Sequence, residues 1–94
     1  MNDIIDLVNF LKDNIPQLVK GEAESLDFTG TSISPSKLDD ALSHMGYWFD
    51  YSDENGWEHD CWYYYSGPAG LHPVTMFYCG FEFTLKLYLT VEDE

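Results

Sequence analysis

Residues 81–91 read FEFTLKLYLTV and form the longest alternating apolar pattern in the chain. Apolar residues occupy every second position, namely Phe81, Phe83, Leu85, Leu87, Leu89 and Val91. A strict period of two, rich in aromatic and aliphatic residues, is typical of an antiparallel strand with one buried face. That apolar face needs a cover, so we expect the rest of the chain to supply neighbouring strands and packed helices.

The composition indicates a single domain, residues 1–94, with one hydrophobic core. Hydrophobic residues make up 45% of the chain and aromatic residues 17%. That is ample for one core and too apolar for a disordered chain. No apolar run approaches the ~20 residues of a membrane span. The acidic N-terminal stretch lacks the positive charge of a signal peptide, so we expect a cytoplasmic protein.

Two helices are predicted in the first half of the chain. The first has an apolar stripe at helical spacing, formed by Ile4, Leu7, Val8, Leu11 and Ile15. Asn2 or Asp3 would cap it, and Pro16 is expected to end it near Asn14 or to begin a short further turn. The second helix is marked by Ser34 as N-cap, by Pro35 and by Gly46, with a stripe of Leu38, Ala41, Leu42 and Met45.

Between the helices, residues 22–31 carry no helical stripe, and an extended conformation is expected there. Leu26 and Phe28 would then face one way while Ser25 and Asp27 face the other. This linker is not counted among the strands of the predicted sheet.

The chain turns to strand after the second helix. Aromatic-rich runs at 47–52 and 57–65 flank an Asn-Gly pair at 55–56, the strongest short signal for a hairpin. Residues 74–79 give a third strand and residues 81–91 the fourth. The sequence therefore predicts an α+β fold with two N-terminal helices packed on one face of a four-stranded antiparallel sheet.

Charge is the most pronounced feature of the chain. Seventeen acidic residues stand against four lysines and no arginine, which gives a net charge of −13. Such a field repels nucleic acid and anionic membranes and attracts a basic protein surface. Direct nucleic-acid binding is therefore not expected, because neutralising phosphates needs cations. The aromatic run at 62–65 is better explained by cross-strand packing than by base stacking.

Catalytic and metal-binding motifs are lacking. The sequence has no G-x-S-x-G, no phosphate-cradling glycine loop and no H-E-x-x-H. Cys61 and Cys79, taken with His59 and His72, match no regular zinc spacing. We expect neither an enzyme nor a bound metal or cofactor. The two cysteines would be buried thiols in a reducing compartment, whereas an oxidising one would allow a disulfide.

The acidic residues gather in two clusters, one in the linker and one around the predicted hairpin. The predicted partner-binding residues are Glu22, Glu24, Ser25, Leu26 and Asp27, and then Asp50, Asp53, Glu54, Glu58 and Asp60. Carboxylates at i and i+2 on a strand lie ~6.6 Å apart, the same order as successive phosphates on a nucleic-acid strand. An acidic strand edge can therefore occupy a groove built for DNA. The alternative is that the hairpin tip is only a solvated loop.

Glu24-Ser25-Leu26 resembles the Glu-Ser-Ile element of the phage uracil-DNA glycosylase inhibitors, and Asp53-Glu54-Asn55 resembles their acidic turn. The order of helices and strands is also similar. The resemblance implies that Glu24 and Ser25, on an edge strand, meet the DNA-binding loops of the enzyme as a DNA mimic. It also implies a hydrophobic pocket between helix and sheet for an apolar side chain of the enzyme. Candidates for that pocket by residue type are Leu38, Leu42, Met45 and Met76.

These features predict a small, phage-type, acidic DNA-mimic inhibitor that is not an enzyme. It would block the nucleic-acid-binding site of a host enzyme in the host cytoplasm, with uracil-DNA glycosylase as the first candidate. One alternative is an inhibitor of a CRISPR effector or a restriction enzyme. Another is an immunity protein against a nuclease toxin. In each case the partner is a basic nucleic-acid-binding protein, and pairing of two chains through exposed aromatics stays open.

Overall fold

A computed structural model describes residues 4–55 and 60–90, with Asn55 described by its backbone alone. The elements are α1 (Ile4–Val19), β1 (Leu26–Asp27), α2 (Pro35–His44), β2 (Trp48–Asn55), β3 (Asp60–Ser66), β4 (Val74–Cys79) and β5 (Thr84–Leu89). All described strand pairs are antiparallel, and the strand order is β1-β5-β4-β3-β2. The predicted α+β class with two helices is confirmed. The predicted strand number is wrong, because the sheet has five strands.

β1 is the strand that the sequence did not reveal. Leu26 pairs with Leu87 and Asp27 with Lys86, and the Phe28 N–H donates to the carbonyl of Leu85 at 2.8 Å. Leu26 and Phe28 are both buried, so the expected facing of this linker is confirmed. A two-residue strand is too short for periodicity to identify, and its pairing with β5 depends on a contact distant in sequence.

β5 is shorter than the predicted strand over residues 81–91. It begins at Thr84, and residues 81–83 form a turn instead. Phe81 and Phe83 are therefore exposed, at 72% and 76%, although alternation placed them on the buried face. Leu85 and Leu87 are buried as expected, and Leu89 is partly buried against the core. Val91 lies outside the described residues.

Phe83 adopts φ 52, the left-handed region in which a bulky side chain is strained by roughly 1 kcal/mol. Because its ring is mostly exposed, packing offsets little of that cost. Replacing Phe83 with asparagine, which tolerates this conformation, is expected to raise the free energy of unfolding by about 0.5–1 kcal/mol. Chemical denaturation measures the change, and Phe81→Asn in the same turn is the control, with no gain expected. A loss of stability in Phe83→Asn would show that contacts of the ring outweigh the strain.

α1 runs without a break through Pro16 to Val19, so it neither ends near Asn14 nor restarts as a separate turn after the proline. Its buried residues are Leu7, Leu11, Ile15 and Leu18. Leu18 continues the apolar stripe beyond the proline and so anchors the last turn in the core, while the Lys20 N–H donates to the carbonyl of Pro16 at 3.0 Å. The predicted cap at residues 2–3 lies outside the described part of the chain. No helix that the structure describes is both long and apolar enough to cross a membrane.

α2 has the predicted boundaries. The Ser34 Oγ accepts a hydrogen bond from the Lys37 N–H at 3.2 Å, Pro35 is the first helical residue, and Gly46 follows the helix with φ 104. That left-handed conformation is one that glycine adopts without a steric cost. The buried residues of α2 are Leu38, Ala41 and Leu42.

Residues of both helices and of the sheet share one core cluster. From the sheet it contains Leu26, Tyr65, Val74, Met76, Leu85 and Leu87, all on the same side of their strands. We call this side the core face. The alternate residues Trp62, Tyr64, Phe77, Lys86 and Tyr88 lie on the opposite side, which we call the outer face.

Candidate functional site

The structure separates the two predicted acidic clusters. β1 is at one edge of the described sheet and β2 at the other. Four inter-strand steps of ~4.8 Å place these edges about 19 Å apart. A partner that contacted both clusters would have to span the whole sheet, so the clusters are two sites and not one.

At the β1 edge, the linker residues differ in their availability to a partner. Glu22 and Glu24 are exposed and Ser25 is half-buried, whereas Leu26 is 7% exposed and its side chain belongs to the core. Asp27 is exposed but locally engaged. Hydrogen bonds from the Thr29 hydroxyl and from its N–H, the latter at 2.9 Å, hold the pKa of Asp27 below its usual value, and Lys86 adds to this effect.

At the opposite edge lies a surface that we call the β2 rim, consisting of Trp48, Phe49, Asp50, Tyr51, Asp53 and Glu54. All six side chains are exposed. The three aromatic residues are 50–55% exposed and lie close together on one strand, and clustered exposed apolar residues often mark an interaction site. β2, β3 and β4 contain no lysine or arginine, so the rim carboxylates have no cation on their own strand or on the next two.

A β-bulge determines which rim residues share a face. Phe49 pairs with Tyr65 and Tyr51 pairs with Tyr64, which leaves Asp50 as the extra residue. The Ser66 Oγ donates to Oδ2 of Asp50 at 3.3 Å. Tyr65 faces the core, so the next residue, Ser66, faces the outer side. The hydrogen bond to Ser66 therefore places the Asp50 carboxylate on the outer side as well.

The same bulge moves the residues after it by one face. Tyr51 and Asp53 stand opposite Tyr64 and Trp62, which are outer-face residues. Regular alternation from Trp48 would have put positions 51 and 53 on the core side. The bulge therefore brings Tyr51 and Asp53 to the face that already carries Asp50.

The outer face carries a nearly continuous aromatic surface beside these carboxylates. Tyr51 stacks on Tyr64 with ring centroids 4.4 Å apart and an angle of 16° between the planes. Trp62 lies 4.4 Å from Phe77 and 6.1 Å from Tyr88, centroid to centroid. Such cross-strand pairs fix the rings in place. The rim thus presents an ordered aromatic ring next to uncompensated negative charge.

The β2–β3 hairpin is confirmed by pairing from Trp48 with Ser66 to Asn55 with Asp60. Asp53 pairs with Trp62, and Asp60 lies two positions before Trp62 on β3. The half-buried Asp60 is therefore a diagonal neighbour of Asp53, at about 7–8 Å. Glu58 lies outside the described residues. The predicted Asn-Gly turn lies partly outside them, because Gly56 is not described.

An apolar groove of about 320 Å³ lies between α1, the end of α2 and the loop before β4. Of the four residues suggested for a hydrophobic pocket, Met45 lines this groove. Leu38, Leu42 and Met76 belong to the core and do not line it, although Met76 borders a second groove beside Phe49. Sequence reasoning missed the groove since its walls come from three distant segments.

Beside Phe49, two tyrosines face the start of α2 in a second groove of about 300 Å³. The Tyr65 hydroxyl donates to Oδ1 of Asp39 at 2.6 Å. Burial and then this carboxylate raise the pKa of Tyr65, and burial is the main cause that raises the pKa of Tyr63 to about 12. Asp39 and Tyr65 are 26 positions apart in the sequence, so this contact is visible only in the tertiary structure.

These raised pKa values predict alkaline sensitivity. Above pH ~10 the unfolded chain loses tyrosyl protons that folded Tyr63 and Tyr65 retain, so stability that is complete below pH 10 falls as the pH rises. Buried Tyr65 should cost on the order of 1 kcal/mol by pH 11, and the more exposed Tyr63 should cost less. Denaturant unfolding from pH 9 to 11.5 should show a shallower decline in Tyr65→Phe than in the parent. Equal slopes would contradict the assignment.

Cys61 and Cys79 do not form a disulfide. Cys61 pairs with Tyr78 and Cys79 with Asp60, so the thiols are one register position apart and point to opposite faces. Within residues 4–55 and 60–90, no group of three or more His, Cys, Asp or Glu side chains is placed to hold a metal ion. His59 lies outside those ranges.

Comparison of the chain with protein-family models, with curated proteins and with solved structures finds no match.

Proposed function

We propose that this protein is a non-enzymatic inhibitor that binds a basic nucleic-acid-handling enzyme and blocks its nucleic-acid site. The observation that carries the proposal is the β2 rim, where exposed carboxylates lie beside exposed aromatic rings and three adjacent strands contain no lysine or arginine. A surface of this kind complements a channel lined by arginine and lysine.

The carboxylate geometry supports mimicry of a polynucleotide. Asp50 and Asp53 share the outer face through the bulge, and Asp60 lies diagonally across from Asp53. Asp53 and Asp60, about 7–8 Å apart across two strands, resemble successive phosphates on a nucleic-acid strand, and Asp50 adds a third negative group on the same face. In this proposal both helices cover the core face of the sheet, and the outer face is left for the partner.

The aromatic residues supply anchoring contacts, which charge alone does not provide. Guanidinium groups stack on Trp and Tyr faces while pairing with carboxylates, and buried aromatic anchors dominate interface energies. Trp48 and Tyr51 are exposed and adjacent to Asp50. In the proposed complex, charge sets the association rate and these rings set the residence time.

Uracil-DNA glycosylase is the first enzyme to test, because of the resemblance at Glu24-Ser25-Leu26. Equimolar protein is expected to stop uracil excision, and raising salt from 50 to 200 mM should slow association steeply. Full excision at equimolar protein would eliminate this enzyme as the target. A CRISPR effector and a restriction enzyme assayed in parallel would identify a defence nuclease as the target instead.

Two matched triple variants locate the contact. Asp50→Asn/Asp53→Asn/Glu54→Gln neutralises the β2 rim, while Glu22→Gln/Glu24→Gln/Asp40→Asn removes the same charge elsewhere. We expect the rim variant to associate with the inhibited enzyme about tenfold more slowly at low salt, and the control variant to change far less. A larger effect of the control variant would place the contact at the β1 edge, as the glycosylase-inhibitor resemblance implies.

A further inference from the structure

The apolar groove beside α1 is lined by few polar atoms. Its floor consists of Leu11, Ile15 and Tyr47, which are 0%, 7% and 4% exposed. Val19, which is 42% exposed, and Leu71, which is partly buried, stand at its sides. Water in such a groove finds few hydrogen-bond partners, so an apolar ligand is favoured there. The volume of about 320 Å³ is at the low end for small-molecule sites, which favours a slender ligand.

The charged side chains that line this groove are lysines, Lys12 and Lys20, and no described Asp or Glu lines it. The chain has 17 acidic residues and only four lysines, so half of its lysines are at this one groove. Neither has a carboxylate three or four positions before it, where a helix would bring one alongside. Those positions hold Val8, Asn9, Pro16 and Gln17.

The spacing along α1 fits an extended ligand. Lys12 and Lys20 are eight residues apart, about 12 Å along a helix axis, and Ile15 and Val19 lie between them. The Tyr47 hydroxyl donates to the carbonyl of His72 at 2.7 Å, and burial raises the pKa of Tyr47. This phenol therefore adds no negative charge that would oppose an anion.

We propose that this groove binds a free medium-chain fatty acid, with the hydrocarbon chain over Leu11 and Ile15 and the carboxylate at Lys12 or Lys20. The site is separate from the β2 rim and goes beyond the proposed inhibition. A second copy of the chain is the less favoured occupant, since two molecules of charge −13 repel each other.

Calorimetric titration of the full chain with decanoate, decanol and decyltrimethylammonium, each below its micelle concentration, tests the proposal. Decanoate is expected to bind one to one and about two- to fivefold more tightly than decanol, with the cation weakest. Lys12→Gln/Lys20→Gln should weaken the binding of decanoate by a similar factor and leave the binding of decanol unchanged. Lys86→Gln should alter the affinity for neither ligand. Val19→Phe should narrow the groove and weaken both ligands.

Three results would overturn the assignment, provided that circular dichroism shows each variant folded. One is the lack of saturable decanoate binding by the parent protein. Another is a decanoate affinity that equals the affinity for decyltrimethylammonium, or that is unchanged in Lys12→Gln/Lys20→Gln. The third is a dimer in sedimentation that Val19→Phe dissociates, because the groove would then belong to a second copy.

Discussion

Tyr51→Ala is expected to weaken binding to the inhibited enzyme about 30-fold, mainly through faster dissociation. Tyr51 is 55% exposed, stacks on Tyr64 at 4.4 Å and lies beside Asp50 at the bulge. A central aromatic anchor costs about 2 kcal/mol or more when truncated, and 1.4 kcal/mol corresponds to a factor of ten. The association rate should change little, since no charge is removed.

Two matched variants separate contact from folding. Tyr51→Phe keeps the ring and should keep most of the affinity, whereas Phe83→Ala removes an exposed ring distant from the rim and should leave binding unchanged. Biosensor kinetics measures all three variants. An unaltered dissociation rate in Tyr51→Ala would mean that the β2 rim is not the contact, whatever the target. Loss of the Tyr51–Tyr64 pair should cost the fold no more than about 1 kcal/mol.

Leu87→Ala is expected to lower the free energy of unfolding by about 3 kcal/mol, the largest stability effect that we predict. Leu87 is 0% exposed and pairs with Met76 on one side and Leu26 on the other. Removing it leaves a cavity where three strands meet the core. In a domain of this size each 1 kcal/mol shifts the melting temperature by about 4–8 °C, so the melting temperature should fall by roughly 12–24 °C.

The control for this substitution is Ile5→Ala, which also truncates an aliphatic side chain but at a position that is 65% exposed. Its effect should stay below about 1 kcal/mol. Thermal unfolding followed by circular dichroism compares the two variants directly. Similar losses in both would show that the core is not organised around β5.

Much of the fold followed from local signals. Helix α2 was predicted at both ends because a cap, a proline and a glycine act within one turn of each boundary. The hairpin was predicted because its turn signal and its aromatic strands are adjacent in sequence. Pro16 was misleading, since the burial of Leu18 extends α1 beyond a residue that lowers helix propensity.

The candidate site was predictable in composition but not in arrangement. Net charge and the positions of Asp50, Asp53 and Glu54 were evident in the sequence. Their placement with Tyr51 on the outer face depends on one extra residue at the bulge, which periodicity does not reveal. The distance between the linker cluster and the hairpin cluster depends on strand order, and no local pattern encodes that order.

By itself, the sequence determined the α+β class, the two helices, the hairpin and the strongly negative charge, because each depends on neighbours within a few positions. Only the tertiary structure decided that β1 joins the sheet, that residues 81–83 turn away from it and that the two acidic clusters lie at opposite edges. The physical reason is that these outcomes come from competition among distant segments for the same core and the same backbone partners.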